Sequence, residues 1–333
     1  MKNNPLPRLD EDSELRNRLL KFCRLKPGEI WDDPMGFHRV GCLDAANKEQ
    51  IDCLVANERP TLAVHDPPYN LVAFETRSAA SFVEWCQQWT KISLDCLADD
   101  SSYYVWLGAD QNKHYQPLPQ FMMMMESMKA AKSRAFITMR NQRGYGTQKN
   151  WMAVRQELLF YTKGNPGFDV QYTGIPKILR GYYKDVAGER TENLGRGKSE
   201  NIRASNVWVD IQQVFYRMQE NVSGCYAQKP LAAIERIVQA SSQEGDGVLD
   251  LFAHSGTTMI ACERTNRKCL TADIDPIYCE MSIRRLEHYR ETGQMGWQNH
   301  HAFATELGDS PELSVEDTVL SKPANAQPQA SLF

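Results

Sequence analysis

Residues 65–70 read HDPPYN and follow directly on the apolar run TLAV. Pro67 and Pro68 fix two φ angles and remove two backbone donors, so Asp66 and Tyr69 are held on a stiff rim. The carbonyls of Asp66 and Pro67 remain available as acceptors. A carboxylate beside carbonyl acceptors suits a ligand NH2 group, and Tyr69 offers a face to a planar ring. Surface turns also use Asp and Pro, so the segment alone leaves a simple turn open.

A second stretch, DLFAHSGTT at 250–258, lies between an expected strand and an expected helix. Its small residues and hydroxyls let a ligand approach the backbone and a helix N-terminus, as nucleotide-type loops require. About twenty residues further on, the next strand ends in ADID, where Asp273 or Asp275 can hold ribose hydroxyls. An ordinary turn with a capping Thr is the alternative for this loop taken by itself.

These two sites must be positioned by an α/β framework. Alternating strand and helix patterns run through FHRVGCLDA, ANKEQIDCLVANE and PTLAVHD, a βαβ unit. There follow the helix AASFVEWCQQWTKISLDCLA, the strand SYYVWLG, a helix around FMMMMESMKAA with methionines as core filler, and the strands AFITMRN and ELLFYTK. After an interruption the pattern resumes with the helix KPLAAIERIVQASS, the strand GVLDLF, the helix TTMIACERTN and the strand KCLTADI. An amphipathic helix is expected over residues 10–25.

The interruption, from about Gly164 to Cys225, loses periodicity and turns to Gly, Asn, Arg, Lys and Tyr. Seven basic residues (Lys177, Arg180, Lys184, Arg190, Arg196, Lys198 and Arg203) stand there against four acids, interleaved with Tyr182 and Tyr183. A solvated loop and a nucleic-acid surface account for this pattern equally well. The whole chain, 333 residues with 42% hydrophobic and 24% charged, can bury a large core, and its net charge of -4 argues against a coat of basic charge. Nine cysteines are scattered without a CxxC pair or metal-ligand clustering, which fits a reduced, cytoplasmic location and no metal. No apolar run approaches the roughly 18 residues of a membrane helix.

Taken in order, HDPPYN, a basic insert, QKP, DLFAHSGTT and ADIDPIY resemble the β-class of S-adenosylmethionine-dependent DNA amino-methyltransferases. In that class the DPPY motif precedes the target-recognition region and an FxGxG cofactor motif. The resemblance runs from about Phe37 to Tyr289. It implies catalytic roles for Asp66, Pro67, Pro68 and Tyr69, and a cofactor loop of Asp250, Phe252, Ser255, Gly256 and Thr257. It also implies that Asp273 serves the ribose, that Lys229 and Pro230 lead into the cofactor half, and that Asp44 in CLDAAN is the acid preceding the catalytic strand. His254 stands where the class usually has its first glycine, and Leu251 replaces a common proline. Histidine tolerates φ > 0 better than most residues, but its ring adds bulk beside the cofactor path. A ring turned to solvent and a ring with a direct role are the two readings for it.

The fold implied is a Rossmann-like α/β methyltransferase, a mostly parallel doubly wound sheet with one antiparallel strand and a circularly permuted motif order. Expected domains are 1–163, the catalytic half; 164–225, an irregular target-recognition insert; 226–303, the cofactor half; and 304–333, a disordered tail. The implied reaction moves a methyl group from S-adenosylmethionine to N6 of adenine in a specific double-stranded DNA sequence, with the base flipped out, as in restriction-modification systems. Adenine is preferred to N4 of cytosine because DPPY more often accompanies adenine in the class. No Pro-Cys pair exists to attack cytosine carbon. A fold that keeps DNA or clamp binding but has weakened turnover is the alternative outside enzymes; methylation of a protein glutamine, which prefers NPPY, leaves the basic insert unexplained. The segment QASLF resembles the QLSLF-type pentapeptide that binds the bacterial DNA sliding clamp, through Gln329, Leu332 and Phe333. A homodimer is left open.

Overall fold

The computed structural model describes residues 6–68, 78–108, 117–145, 151–176, 183–192, 199–298 and 300–308. Helix α1 (Ser13–Leu19) begins at Asp12, whose carboxylate accepts the Leu15 N–H at 2.9 Å, and runs into a 3-10 turn at Leu20–Phe22. The first half then contains β1 (Ile30–Asp32), β2 (His38–Cys42), α2 (Lys48–Val55), β3 (Leu62–His65), α3 (Ala79–Cys96) and β4 (Ser101–Leu107). It closes with α4 (Leu118–Met128) and the long antiparallel pair β5 (Lys132–Tyr145) and β6 (Ala153–Lys163). Five short strands follow: β7 (Tyr172–Pro176), β8 (Tyr183–Val186), β9 (Glu189–Glu192), β10 (Asn201–Arg203) and β11 (Val207–Trp208). The last part comprises α5 (Leu231–Ser241), β12 (Gly247–Asp250), α6 (Thr257–Arg264), β13 (Lys268–Asp273), α7 (Pro276–Thr292) and α8 (Ala304–Leu307).

Nine strands form one sheet in the order β1-β2-β13-β12-β3-β4-β6-β5-β11. Every residue of β3, β4 and β12 is buried, as strands covered on both faces must be, and this is why they read as apolar runs. Helices α2, α3 and α4 cover one face around Trp89, Phe121 and Leu249. On the other face α5, α6 and α7 pack around Val248, Ile260 and Ile283. A third cluster ties the N-terminal segment, through Leu9, Leu15 and Leu19, to Ile277 and Met281 of α7 and to Phe303.

The expected mostly parallel, doubly wound α/β sheet is present. Strand β6 runs antiparallel to β4 and β5, and the edge strand β1 adds a second antiparallel member. Strands β2 and β3 belong to the expected βαβ unit but are not neighbours, because β13 and β12 lie between them. The insert is more regular than its composition suggests: β7 pairs with β10, β8 with β9, and β11 joins the main sheet beside β5. Ala187 and Gly188, both at positive φ, supply the turn between β8 and β9 that matches strand twist. Of the four consecutive methionines only Met124 and Met125 are buried, while Met122 and Met123 face outward. Order continues past residue 304 into α8, where Glu306 pairs with Arg284 at 2.6 Å; the tail from 309 lies outside the described residues.

Candidate functional site

Strands β2, β13, β12 and β3 are adjacent and parallel, so their carboxyl ends open at one edge of the sheet. Such an edge is where open α/β sheets collect ligands. Beyond it lie Asp44, Asp273, the segment Leu251–His254 and Asp66, one contribution from each strand. All of them except Ala253 line a cavity of about 710 Å³, together with Pro67, Pro68, Phe82, Trp85 and Lys229. That volume falls in the range of about 300–1,000 Å³ typical of small-molecule sites.

The Lys229 ammonium donates to Asp66 Oδ2 at 2.8 Å, and the lysine is nearly buried, at 7% exposure. It also stands 5.3 Å from the centre of the Trp106 ring. The neighbours of Lys229 fix it in place. Gln228 donates through its amide to the Glu220 carbonyl at 2.7 Å and accepts from the Val222 N–H at 2.9 Å, while Pro230 opens α5. Pro230 has no side-chain acceptor for the first turn of α5. The Glu220 carboxylate serves instead, accepting the Leu231 N–H at 2.7 Å. Burial pushes the Glu220 carboxyl up.

In the loop after β12, His254 takes φ 45° and Gly256 takes φ 71°, both in the left-handed region. A Cβ on Gly256 would lie 3.0 Å from the Ser282 Cα, so glycine is required there on two counts. The His254 N–H donates to Asp273 Oδ2 at 2.9 Å, and the Asp275 N–H donates to Asp273 Oδ1 at 3.0 Å. Burial outweighs these bonds and pushes the Asp273 carboxyl up to about 7. It also holds His254 down at about 4, so the imidazole is neutral near pH 7. The His254 ring is packed edge-on against Tyr278 at 5.0 Å and lines the cavity rather than pointing away from it.

Asp250, Ser255, Gly256, Thr257 and Pro230 do not line the cavity; they build its wall. Asp250 turns inward, accepting from the Phe252 N–H at 3.0 Å and from Thr258 Oγ1 at 2.5 Å. The buried Arg285 guanidinium donates to the Ser255 carbonyl at 2.8 Å and to Thr257 Oγ1 at 3.0 Å, holding the loop from behind. Asp44 accepts the Ala46 N–H at 2.9 Å while its own N–H reaches Gln50. Tyr69, Lys177, Arg180, Arg196 and Lys198 lie outside the described residues, as does the segment from Gln329 to Phe333. Lys184 and Arg190 sit on β8 and β9, and Arg203 ends β10 with an exposed side chain. Among the described residues no His, Cys, Asp and Glu cluster is suited to a metal, and no helix is long and apolar enough to cross a membrane.

A family model described as DNA methylase, for N6 and N4 methylation, matches residues 61–284. The type II methyltransferase M.HpaI of Haemophilus parainfluenzae is 28% identical over 232 residues, 68% of either chain. The type II methyltransferase M1.MboII of Moraxella bovis is 28% identical over 255 residues, 72% of this chain and 92% of its own. The DNA adenine methyltransferase YhdJ of Escherichia coli is 25% identical over 240 residues, 70% of this chain and 79% of its own. Among solved structures, the PvuII DNA methyltransferase, cytosine-N4-specific, matches with a TM-score of 0.56 at 14% identity, over 74% of this chain and 85% of its own. That last likeness is one of fold.

One residue behind the site, the first of HDPPYN, has no role among those implied for the motif. His65, fully buried just before Asp66, accepts the Leu251 N–H on Nδ1 at 3.2 Å. Its proton therefore sits on Nε2, which donates to Ser93 Oγ at 2.7 Å. The ring is enclosed edge-on by Trp89, Tyr103 and Phe252, and burial keeps it neutral. His65 thus clips the end of β3 to the end of β12. Its only signal in the sequence is its position beside Asp66. Replacing it by leucine, of similar bulk, leaves the Leu251 N–H unpaired and is expected to lower stability by about 1–3 kcal/mol. Denaturant unfolding of His65→Leu reads this directly, and an unchanged midpoint would remove the clip from the account.

Proposed function

Since the chain belongs to the N6/N4 DNA methylase family, we propose that it methylates the N6 amine of adenine in a specific double-stranded DNA sequence, using S-adenosylmethionine. The observation that carries the reading is the convergence of Asp66, Lys229 and Asp273 on one cavity. The side chains present fit this cofactor. Asp273, at the end of β13, would accept from its ribose hydroxyls and Phe252 would pack on its ring. Asp44 and Lys229 offer both charge signs to its zwitterionic amino-acid end. When bound, S-adenosylmethionine supplies an electrophilic methyl group on a sulfonium.

An exocyclic amine is a poor nucleophile because its lone pair is delocalised into the ring. Asp66 and the Pro67 carbonyl would accept its two N–H groups and so aim the lone pair. Lys229 keeps the Asp66 carboxylate oriented, and a carboxylate has about four acceptor positions, so holding the ammonium is compatible with taking an amine N–H. The target must leave the duplex to reach this cavity, and Tyr69 is assigned to stack on it. Of the basic residues of the insert, Lys177, Arg180, Lys184, Arg190, Arg196 and Lys198 are assigned to DNA, whereas Arg203 lines a separate cavity on the α5 side of the sheet. Adenine rests on the DPPY association and on the adenine-specific relative; N4 of cytosine offers the same NH2 beside a ring nitrogen.

Modified-base sequencing of DNA from cells expressing the chain is expected to show N6-methyladenine at one sequence, and Asp66→Ala is expected to abolish it while leaving cofactor affinity within a few-fold. N4-methylcytosine instead would overturn the choice of base. No modification together with intact cofactor binding would favour the non-catalytic module.

Asp273 accepts hydrogen bonds best as a carboxylate, and it titrates at about 7 against an ordinary 3.8. Cofactor affinity is therefore expected to rise by up to about tenfold per pH unit below roughly pH 7 and to level off above it. The contribution to folding has the opposite sign: a raised carboxyl pKa stabilises the fold fully below 3.8, and this is lost as pH rises through about 7. Calorimetry on wild type and Asp273→Asn separates the two, and an equal pH slope for binding in both proteins would exclude Asp273 as the acceptor.

For the segment QASLF, we assign Gln329, Leu332 and Phe333 to a pocket on the bacterial sliding clamp, which would concentrate the enzyme on newly replicated DNA. Deleting Gln329 to Phe333 is expected to abolish clamp binding and to leave methylation of short oligonucleotides unchanged. Equal binding by both forms, or by neither, would sink the assignment.

A further inference from the structure

The described residues contain a second cavity, of about 530 Å³, that shares no lining residue with the first. It opens on the α5 side of the sheet, where residues 203–208 of the insert close against β4, β5 and β6. Its position is away from the carboxyl ends of β3 and β12: Arg134 on its rim is among the first residues of β5, and Tyr104 is at the middle of β4.

The floor is aromatic. Tyr104 and Phe160 stack at 4.2 Å with planes 4° apart, and Phe168 continues the stack from Phe160 at 6.2 Å. Phe168 is half exposed and lines the cavity. The Tyr104 hydroxyl is already satisfied by Ser241 at 2.8 Å. Trp208 forms a further wall, fixed by its Nε1–H to the Ser205 carbonyl at 2.9 Å.

The charge is of one sign. Arg134, Arg203 and Arg236 line the cavity, and no acidic side chain does. Arg236 is tied to Asp210 and lies over the Trp208 ring at 5.1 Å. The Arg134 and Arg203 side chains are exposed, and neither guanidinium makes a hydrogen bond or ion pair among the described residues. Two uncommitted guanidinium groups suit a phosphate, which each can grip through two parallel N–H groups. A stacked aromatic face beside them suits a planar ring. A cavity of this volume admits one nucleotide-sized molecule and is too small for a duplex.

We propose that this cavity is a second ligand site, for a mononucleotide whose phosphate is held by Arg134 and Arg203 and whose base packs on the Phe160–Phe168 stack. Its walls come from the insert on one side and the sheet on the other, so an occupant fastens the insert to the sheet.

The test is titration calorimetry of the full chain with adenosine 5′-monophosphate, with adenosine and inorganic phosphate as separate arms. Binding of the nucleotide is expected to weaken at least about tenfold in Arg134→Gln/Arg203→Gln, and also in Phe168→Ala, with both single-group arms weaker than the whole. All three side chains are exposed, so the variants are expected to fold, which circular dichroism checks. Affinity that is unchanged in both variants would place the nucleotide elsewhere and overturn the proposal. So would the absence of binding, phosphate binding as tightly as the nucleotide, or displacement of the nucleotide by a short DNA duplex, which would make the surface a DNA contact.

Discussion

The ion pair between Lys229 and Asp66 joins residues 163 positions apart in the chain. Both charges are largely withdrawn from water, and a withdrawn charge is tolerated only when its partner is held at good geometry. That requirement reaches far into the fold. Lys229 is placed by Gln228, which is anchored to Glu220 and Val222, and by the start of α5, whose first turn the Glu220 carboxylate caps. Asp66 is placed by β3 and by the two prolines after it. Loosening either side would leave a carboxylate or an ammonium in a poorly solvated cleft.

The sheet order is what brings the two ends of this pair together. Inserting β12 and β13 between β2 and β3 makes β3 and β12 neighbours, although their sequences are separated by the whole insert. The His65 ring then bridges their ends by accepting the Leu251 N–H. His38 makes the same kind of bond between β2 and β13, at the opposite end of the sheet: it accepts the Cys269 N–H on Nδ1 at 3.0 Å, and its Nε2 faces Glu263 at 2.9 Å. Two buried imidazoles therefore tie first-half strands to second-half strands. In both, the backbone N–H decides the tautomer.

What the sequence reveals and what it conceals divide along range. The apolar runs of β3, β4 and β12 and the stiff Asp66–Pro68 segment are local, so the order of residues is enough to show them. Helix α7 is absent from the elements expected from the sequence, although Asp275 caps it, Pro276 opens it and Gly293 ends it, because its mixed composition blurs the periodicity. The partner of Lys229, the clip at His65 and the inward turn of Asp250 depend on contacts across the fold, which no spacing rule supplies. The basic insert is legible only as composition, because charge counts do not fix which strands of β7 to β11 pair.

The histidine at 254 shows how the loop accommodates a side chain at a left-handed position. At φ 45° a side chain is strained, less so for His than for most residues, and the strain must be offset by bonds that need that backbone. Three are present: the His254 N–H to Asp273, the Arg285 guanidinium to the Ser255 carbonyl, and Asp250 to the Phe252 N–H. Because the loop is held from behind and from below, its course does not depend on having no Cβ at 254. The ring packs on Tyr278 at the cavity wall and stays uncharged, so it narrows the cleft without adding a cation beside Lys229. Gly256 has no such freedom. Its Cα faces α7 directly, and Ser282 occupies the space a side chain would need. Of the two left-handed positions in this loop, the one facing the cleft tolerates a side chain and the one facing the helix does not.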